Sequence, residues 1–235
     1  MEKIIDNIHI KRIGYFNLYV IRGTTGDILI DTGFICMKKR IKKWLDKFNI
    51  KLIILTHAHV DHIWNVAYIK ELYNCEVAIS KKDIKNIDNS NINSKPSKNI
   101  FKIWTKIMNW GMKHFVAKPF EIDYLLTDKQ KINKYGISLQ IHNLKGHTNG
   151  SIGIKYKDYL FVGDAIVNRF KVSAAYQNQD LKSSKKSIQK ILSLQPTITF
   201  LGHDQEVYYD KLKRDLSENK KYLKFSFGFH NSSIK

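Results

Sequence analysis

The sequence predicts an α/β fold built from a duplicated unit, sheet packed on sheet with helices outside, and three observations predict it. Short β-branched and aromatic runs alternate with segments of helical periodicity along the 235 residues. The two halves echo each other. Asp27-Ile28-Leu29-Ile30-Asp31-Thr32-Gly33 resembles Asp158-Tyr159-Leu160-Phe161-Val162-Gly163-Asp164-Ala165, and Ile53-Ile54-Leu55-Thr56-His57 resembles Ile198-Thr199-Phe200-Leu201-Gly202-His203. Finally, 235 residues with 43% apolar content suffice for one sizeable core.

In chain order, strands are expected at 8–10, 16–22, 27–31, 52–56, 76–80, 138–142, 152–156, 159–162 and 197–201, where Val, Ile, Tyr and Phe concentrate. Gly23-Thr24-Thr25-Gly26 and Lys157-Asp158 read as hairpin turns between them. Apolar residues at helical spacing predict helices at 38–48, 66–73, 100–116, 184–194 and 208–222. The Asn- and Ser-rich stretch 88–97 reads as loop. A single domain over 1–235 with a helical insertion at about 88–118 is the expected organisation.

Composition excludes several classes. No run of 18 apolar residues exists, so a spanning helix is not expected. The first residues, Met1-Glu2-Lys3-Ile4-Ile5-Asp6, lack the apolar core of a secretory signal, and Cys36 and Cys75 are too few for a disulfide framework. Cytoplasmic residence is the expectation. The formal charge of +19 invites a nucleic-acid reading. Against it, only five basic residues are Arg, the better fork for phosphate, and the lysines are spread along the chain. They read as solvated faces, as in Lys38-Lys39-Arg40 with Lys42-Lys43.

The chemistry concentrates after the strand at 52–56, in His57-Ala58-His59-Val60-Asp61-His62. Alternation along an extended backbone sends His57 and His59 to the same side. Asp61 and His62 lie where the strand ends and the chain turns into a helix. Such a segment can deliver two imidazoles to one metal, and a carboxylate with a third imidazole to a neighbour. Imidazole and carboxylate together suit Zn²⁺ and related borderline ions. Three further positions place a ligand-type residue directly after a Gly just past an apolar strand: Gly146-His147-Thr148, Gly163-Asp164-Ala165 and Gly202-His203-Asp204. A duplicated αβ unit would bring these strand ends to one sheet edge.

With Asp31-Thr32-Gly33, these segments form five motifs in an order that resembles the metallo-β-lactamase fold superfamily over nearly the whole chain. The resemblance implies a four-layer αββα sandwich of two mixed sheets with a dinuclear centre at one edge. By that match His57, His59 and His147 hold the first divalent ion, and Asp61, His62 and His203 the second. Asp164 bridges both, while Asp31 fixes the ligands from behind. Zn²⁺ is the leading expectation for both ions, with Fe or Mn as alternatives. The implied reaction is hydrolysis by a metal-bridging hydroxide, with Asp61 orienting it or taking its proton.

Departures within the family narrow the substrate. Its true β-lactamases generally lack the bridging aspartate and often use a Cys at the second metal, whereas here Asp164 is present and both cysteines lie outside the motifs. The redox flavodiiron branch replaces a motif His with Glu, and His59 argues against it. What remains is an ester-like carbonyl (lactone, thioester or ester) in a small molecule, since Gly146-His147-Thr148-Asn149-Gly150-Ser151 is similar to a segment of the hydroxyacylglutathione hydrolase and homoserine lactonase branches. A phosphodiesterase or small nuclease with the same ligands is the alternative. The aromatic segment 100–116, with Trp104 and Trp110, reads either as a lid over an apolar acyl group or as a docked structural helix. His9, His114, His142 and His230 lack motif context, and Tyr176 is a candidate donor to a substrate oxygen.

Overall fold

The computed structural model describes residues 2–34, 37–87, 95–96, 106 and 116–217. The expected helix at 100–116 lies outside the described residues apart from Lys106 and Val116, as do Cys36, His114 and His230.

The first half forms β1 (Glu2–Ile5), β2 (Ile8–Ile13), β3 (Phe16–Ile21), β4 (Asp27–Ile30), α1 (Lys38–Leu45), β5 (Ile50–Ile54), the short helix α2 (Val60–Ile63), α3 (Val66–Tyr73) and β6 (Glu76–Ser80). A 3₁₀ helix, Lys81–Asn86, follows, then β7 (Lys95–Pro96) and β8 (Tyr124–Leu126). The second half contributes β9 (Lys131–Lys134), β10 (Ile137–Asn143), β11 (Ile152–Tyr156), β12 (Tyr159–Phe161), the two-residue strands β13 (Ile166–Val167), β14 (Ser173–Ala174) and β15 (Gln177–Asn178), α4 (Leu181–Ser193), β16 (Ile198–Phe200), β17 (Val207–Tyr208) and α5 (Tyr209–Ser217).

Two mixed sheets result. One has the order β1-β2-β3-β4-β5-β6-β8, the other β17-β16-β12-β11-β10-β9. In each half a hairpin leads through a helix to a parallel neighbour: β4 runs parallel to β5 with Ile30 opposite Ile54, and β12 parallel to β16 with Phe161 opposite Phe200. The repeated sequence is therefore a repeated βαβ crossover, which places the ends of β5, β12 and β16 along one edge.

Period-two alternation decides which face each residue serves. Ile28, Ile30, Leu52 and Ile54 face the second sheet and pack among Ile141, Ile154, Phe161 and Phe200 in one buried cluster. Their neighbours Leu29, Ile53 and Leu55 face the other way, against Ile41, Trp44, Leu45 and Ile69 of α1 and α3. Across the second sheet, Leu160, Val162 and Leu201 pack on Ile188, Ile191, Leu212 and Leu216 of α4 and α5. Three apolar interfaces between four layers make the αββα sandwich, each fully buried aliphatic side chain contributing roughly 2 kcal/mol of transfer free energy.

The differences from expectation lie at the margins. The second strand runs on to Ile13, and the helix expected at 38–48 ends at Leu45. Strand β9 was not expected: among its four residues only Ile132 is buried, and its register comes from the hairpin turn at Tyr135-Gly136, both at positive φ. Within the expected loop at 88–97, Lys95–Pro96 pairs with Gln177–Asn178. No helix among the described residues is long and apolar enough to cross a membrane.

Candidate metal centre

Strand β5 ends at Ile54, and Leu55-Thr56-His57-Ala58-His59 carries the chain off the sheet edge into α2. His59 is the extended residue that caps α2, so Asp61 and His62 fall in that helix's first turn. Thr32 braces the helix by donating from its backbone N–H and hydroxyl to the His62 carbonyl, at 2.8 and 2.7 Å. His147 arrives from the loop after β10, Asp164 from the turn after β12, and His203 from the turn after β16.

The structure brings these side chains close together. The ligand atoms of His57, His59 and His147 lie within 4.8 Å of one another, as do those of His57, His62 and Asp164, and those of Asp61, His62 and His203. Asp164 stands between the sets. Its Oδ2 is 3.6 Å from His147 Nε2 and 3.1 Å from His203 Nε2, while Oδ1 is 3.6 Å from His62 Nε2. Asp61 Oδ2 lies 3.3 Å from His203 Nε2. His142, by contrast, is buried in β10 outside these groups, and His9 pairs with Glu2 at 3.2 Å.

Hydrogen bonds behind the cluster fix which nitrogen faces inward. His62 Nδ1 donates to Asp31 Oδ2 at 2.8 Å, His147 Nδ1 to the Gln177 carbonyl at 2.8 Å, and His203 Nδ1 to the Tyr15 carbonyl at 2.9 Å. The Thr56 hydroxyl gives its proton to Asp31 Oδ2 at 2.8 Å and so accepts from His57 Nδ1 at 3.1 Å. Each of these four rings thus turns its Nε2 edge toward the cluster. His59 presents Nδ1 instead, 2.8 Å from His147 Nε2. Two lone pairs do not tolerate that approach unless a proton or a cation mediates it. Buried Nε2 atoms of His57 and His62 and Oδ1 of Asp164 have no protein partner. The donor set fits divalent cations, with imidazole nitrogens and carboxylates aimed at common points.

Electrostatics divides the cluster in two. Burial holds His57 well below its ordinary value, assisted by the neighbouring imidazoles, and for the same reasons brings His59 down to about 3. Burial likewise lowers His147. These three imidazoles are neutral. At the other end, burial opposes charge on His62, but the carboxylates of Asp31, Asp61 and Asp164 override it and push the ring up to about 10. His203 is raised against burial by Asp164 and Asp61. Burial would raise the Asp61 and Asp164 carboxyls; the two imidazoliums hold both well below the usual carboxylate range instead.

Glycines at two turns make the convergence sterically possible. A Cβ at Gly202 would overlap Asp164 Oδ1 and lie 2.6 Å from His62 Cε1. Gly163 has φ +51°, and a Cβ there would press on Thr56.

A family model described as "Metallo-beta-lactamase superfamily" matches residues 14–203, a span that runs from the β2–β3 turn to the last histidine of the cluster. The chain belongs to the metallo-beta-lactamase superfamily.

Probable metallo-hydrolase MJ0296 of Methanocaldococcus jannaschii is 30% identical over 193 residues, 79% of this chain and 74% of that protein. Hydroxyacylglutathione hydrolase 1 of Vibrio vulnificus is 26% identical over 192 residues, 79% of this chain and 60% of that enzyme. Among solved structures, TTHA1623 in a di-iron-bound form superposes with a TM-score of 0.63 at 23% identity, covering 85% of this chain and 93% of that one. As a member of this superfamily carrying the His/Asp cluster, the protein is a metal-dependent hydrolase.

The partners that orient this superfamily site escaped the sequence reading. Thr56 and the carbonyls of Tyr15 and Gln177 fall outside ligand-type chemistry, and a backbone oxygen carries no residue signature at all. Asp31 alone among the supports was legible, because it sits in a motif.

Proposed function

We propose that this protein hydrolyses an ester-like carbonyl (lactone, thioester or ester) of a small molecule at a centre of two divalent cations. His57, His59 and His147 would hold one, Asp61, His62 and His203 the other, with Asp164 between them. The observation that carries the reading is the placement of Asp164, whose two oxygens face imidazoles of both sets at 3.1–3.6 Å. When bound, the cations supply a hydroxide near neutral pH and polarise the oxygen under attack. Zn²⁺ suits the N/O donor set, and the di-iron form of TTHA1623 makes iron the competing identity.

The chain's own residues do the remaining work. Asp61, anionic and with its side chain a quarter exposed, can orient the attacking water and take up its proton. A wall of rings beside His203 favours an apolar acyl or alkyl group. Phe16 lies edge-on to His203 at 5.1 Å, stacks on Phe34 at 6.0 Å, and Phe34 meets Trp64 at 5.5 Å. Tyr15 extends the wall outward under the Arg169 guanidinium, 5.1 Å from its ring. The identity to a hydroxyacylglutathione hydrolase supports a thioester within the carbonyl class.

The test is turnover by protein reconstituted with Zn, Mn or Fe on a thioester and lactone panel beside bis-p-nitrophenyl phosphate. Carbonyl substrates are expected to turn over, faster with apolar acyl groups. Turnover of the phosphodiester alone would overturn the proposal.

A further inference from the structure

We infer that Asp83, a carboxylate outside every ligand motif, is a positioning residue that sets the three imidazoles of the first cation subsite; this rests on the dinuclear reading above. Asp83 lies in the 3₁₀ helix after β6 and is fully buried. Its Oδ2 accepts from the Ala58 N–H at 2.7 Å and the Thr148 hydroxyl at 3.0 Å. Its Oδ1 accepts from the Gly150 N–H at 3.1 Å and from Asn86 Nδ2 at 2.6 Å. Ala58 is the residue between His57 and His59, and Thr148 directly follows His147. One side chain from a third segment therefore ties together the two loops, one from each half of the chain, that bring in the first subsite.

Plain structural filling accounts poorly for a carboxylate here. A buried charge carries a desolvation cost of several kcal/mol, and an apolar or amide side chain would fill the space without it. What only a carboxylate supplies is four acceptor positions aimed at two loops at once. Metal–nitrogen bonds tolerate displacements of only about 0.2 Å, so a slip between these loops registers directly as lost affinity. Close packing keeps the clamp tight, since a Cβ at Gly150 would meet the Asp83 side chain.

The second subsite has its own brace. Asn17, also buried, donates from Nδ2 to the Leu201 carbonyl at 3.0 Å and the Asp204 carbonyl at 2.7 Å, on either side of Gly202-His203. Separate braces predict separable effects, which general destabilisation does not.

The experiment titrates apo protein with ¹¹³Cd²⁺ and follows two cadmium resonances by NMR under chelator competition, with His57→Ala assigning the first subsite. In Asp83→Asn one of the two acceptor oxygens becomes an NH2 donor, so whichever way the amide turns, either Ala58 and Thr148 or Gly150 and Asn86 lose their acceptor. First-subsite affinity is expected to fall about 10–100-fold while the second titrates as in the parent protein. Asn17→Ala is expected to do the reverse. Thr148→Val, which removes one of the four bonds, gives a smaller loss at the first subsite and keeps the test decisive if Asp83→Asn does not fold. Equal losses at both subsites in Asp83→Asn, or unchanged first-subsite affinity in either variant, overturn the inference alone. A parent protein that binds no pair of cadmium ions overturns the dinuclear reading and this inference with it.

Discussion

Asp31 closes β4 at a left-handed φ of +59°, and its carboxylate accepts from the Thr56 N–H and hydroxyl and from His62 Nδ1, each at 2.8 Å. Replacing it by Ala leaves three buried donors without an acceptor. We expect Asp31→Ala to cost about 3 kcal/mol in urea unfolding of the apo protein and to weaken metal retention as well. Gly202→Ala tests the opposite fault, a group added where there is no room. Its methyl would displace the Asp164 carboxylate, so metal content by elemental analysis should fall while the far-UV CD spectrum is retained. At this scale the sequence marked the candidate ligands, because His and Asp are rarely set at such spacing for any other purpose. It was uninformative about what aims them. Tyr15 and Gln177 act through carbonyls that any residue would provide, and Asp83 sits where nothing in Ser80-Lys81-Lys82-Asp83 marks a site.

The elements that carry the site are those whose pattern is strongest. Strands β4, β5 and β12 are buried on both faces, so their apolar runs stand out; β1, β9 and β17 lie at or beside sheet edges and carry few buried residues, and each escaped the sequence reading. Helix α4 began three residues earlier than its periodicity suggested, because Asp180 caps it, its side chain accepting from the Lys182 N–H at 2.9 Å and from the Ser183 hydroxyl at 2.6 Å. Asp180→Ala is expected to lower stability by about 1 kcal/mol, read as an earlier midpoint in urea. Since the preceding segment bonds His147 through Gln177, the same variant should leave metal stoichiometry unchanged.

Over the whole molecule, the site occupies the seam between two repeated halves, and side chains cross that seam. Tyr19 of β3 donates to the Leu201 carbonyl at 2.5 Å, and Glu206 pairs with both Lys3 and Arg12. Burial would raise the Glu206 carboxyl, but Lys3 and Arg12 hold it below its ordinary value. Because the folded value lies below the unfolded one, this pairing stabilises at neutral pH. The contribution starts to be lost as pH falls below the usual glutamate value of about 4.3 and is gone once pH has passed the lowered folded value. Glu206→Gln should therefore lower Tm at pH 7 and narrow its distance from the parent protein toward pH 3. The repeat was legible in the sequence as two hairpins and two later strands. The face-to-face packing of the two sheets was legible as well; the individual contacts that lock the halves together, as remote as residue 3 with residue 206, were not.

On the proposed reading, seven side chains from both halves surround two cations. Anomalous diffraction from crystals of the zinc-loaded protein tests it most directly. Two peaks about 3.5–4 Å apart are expected, one among His57, His59 and His147 and the other among Asp61, His62 and His203, with Asp164 touching both. A single peak, or zinc bound only elsewhere on the surface, would contradict it.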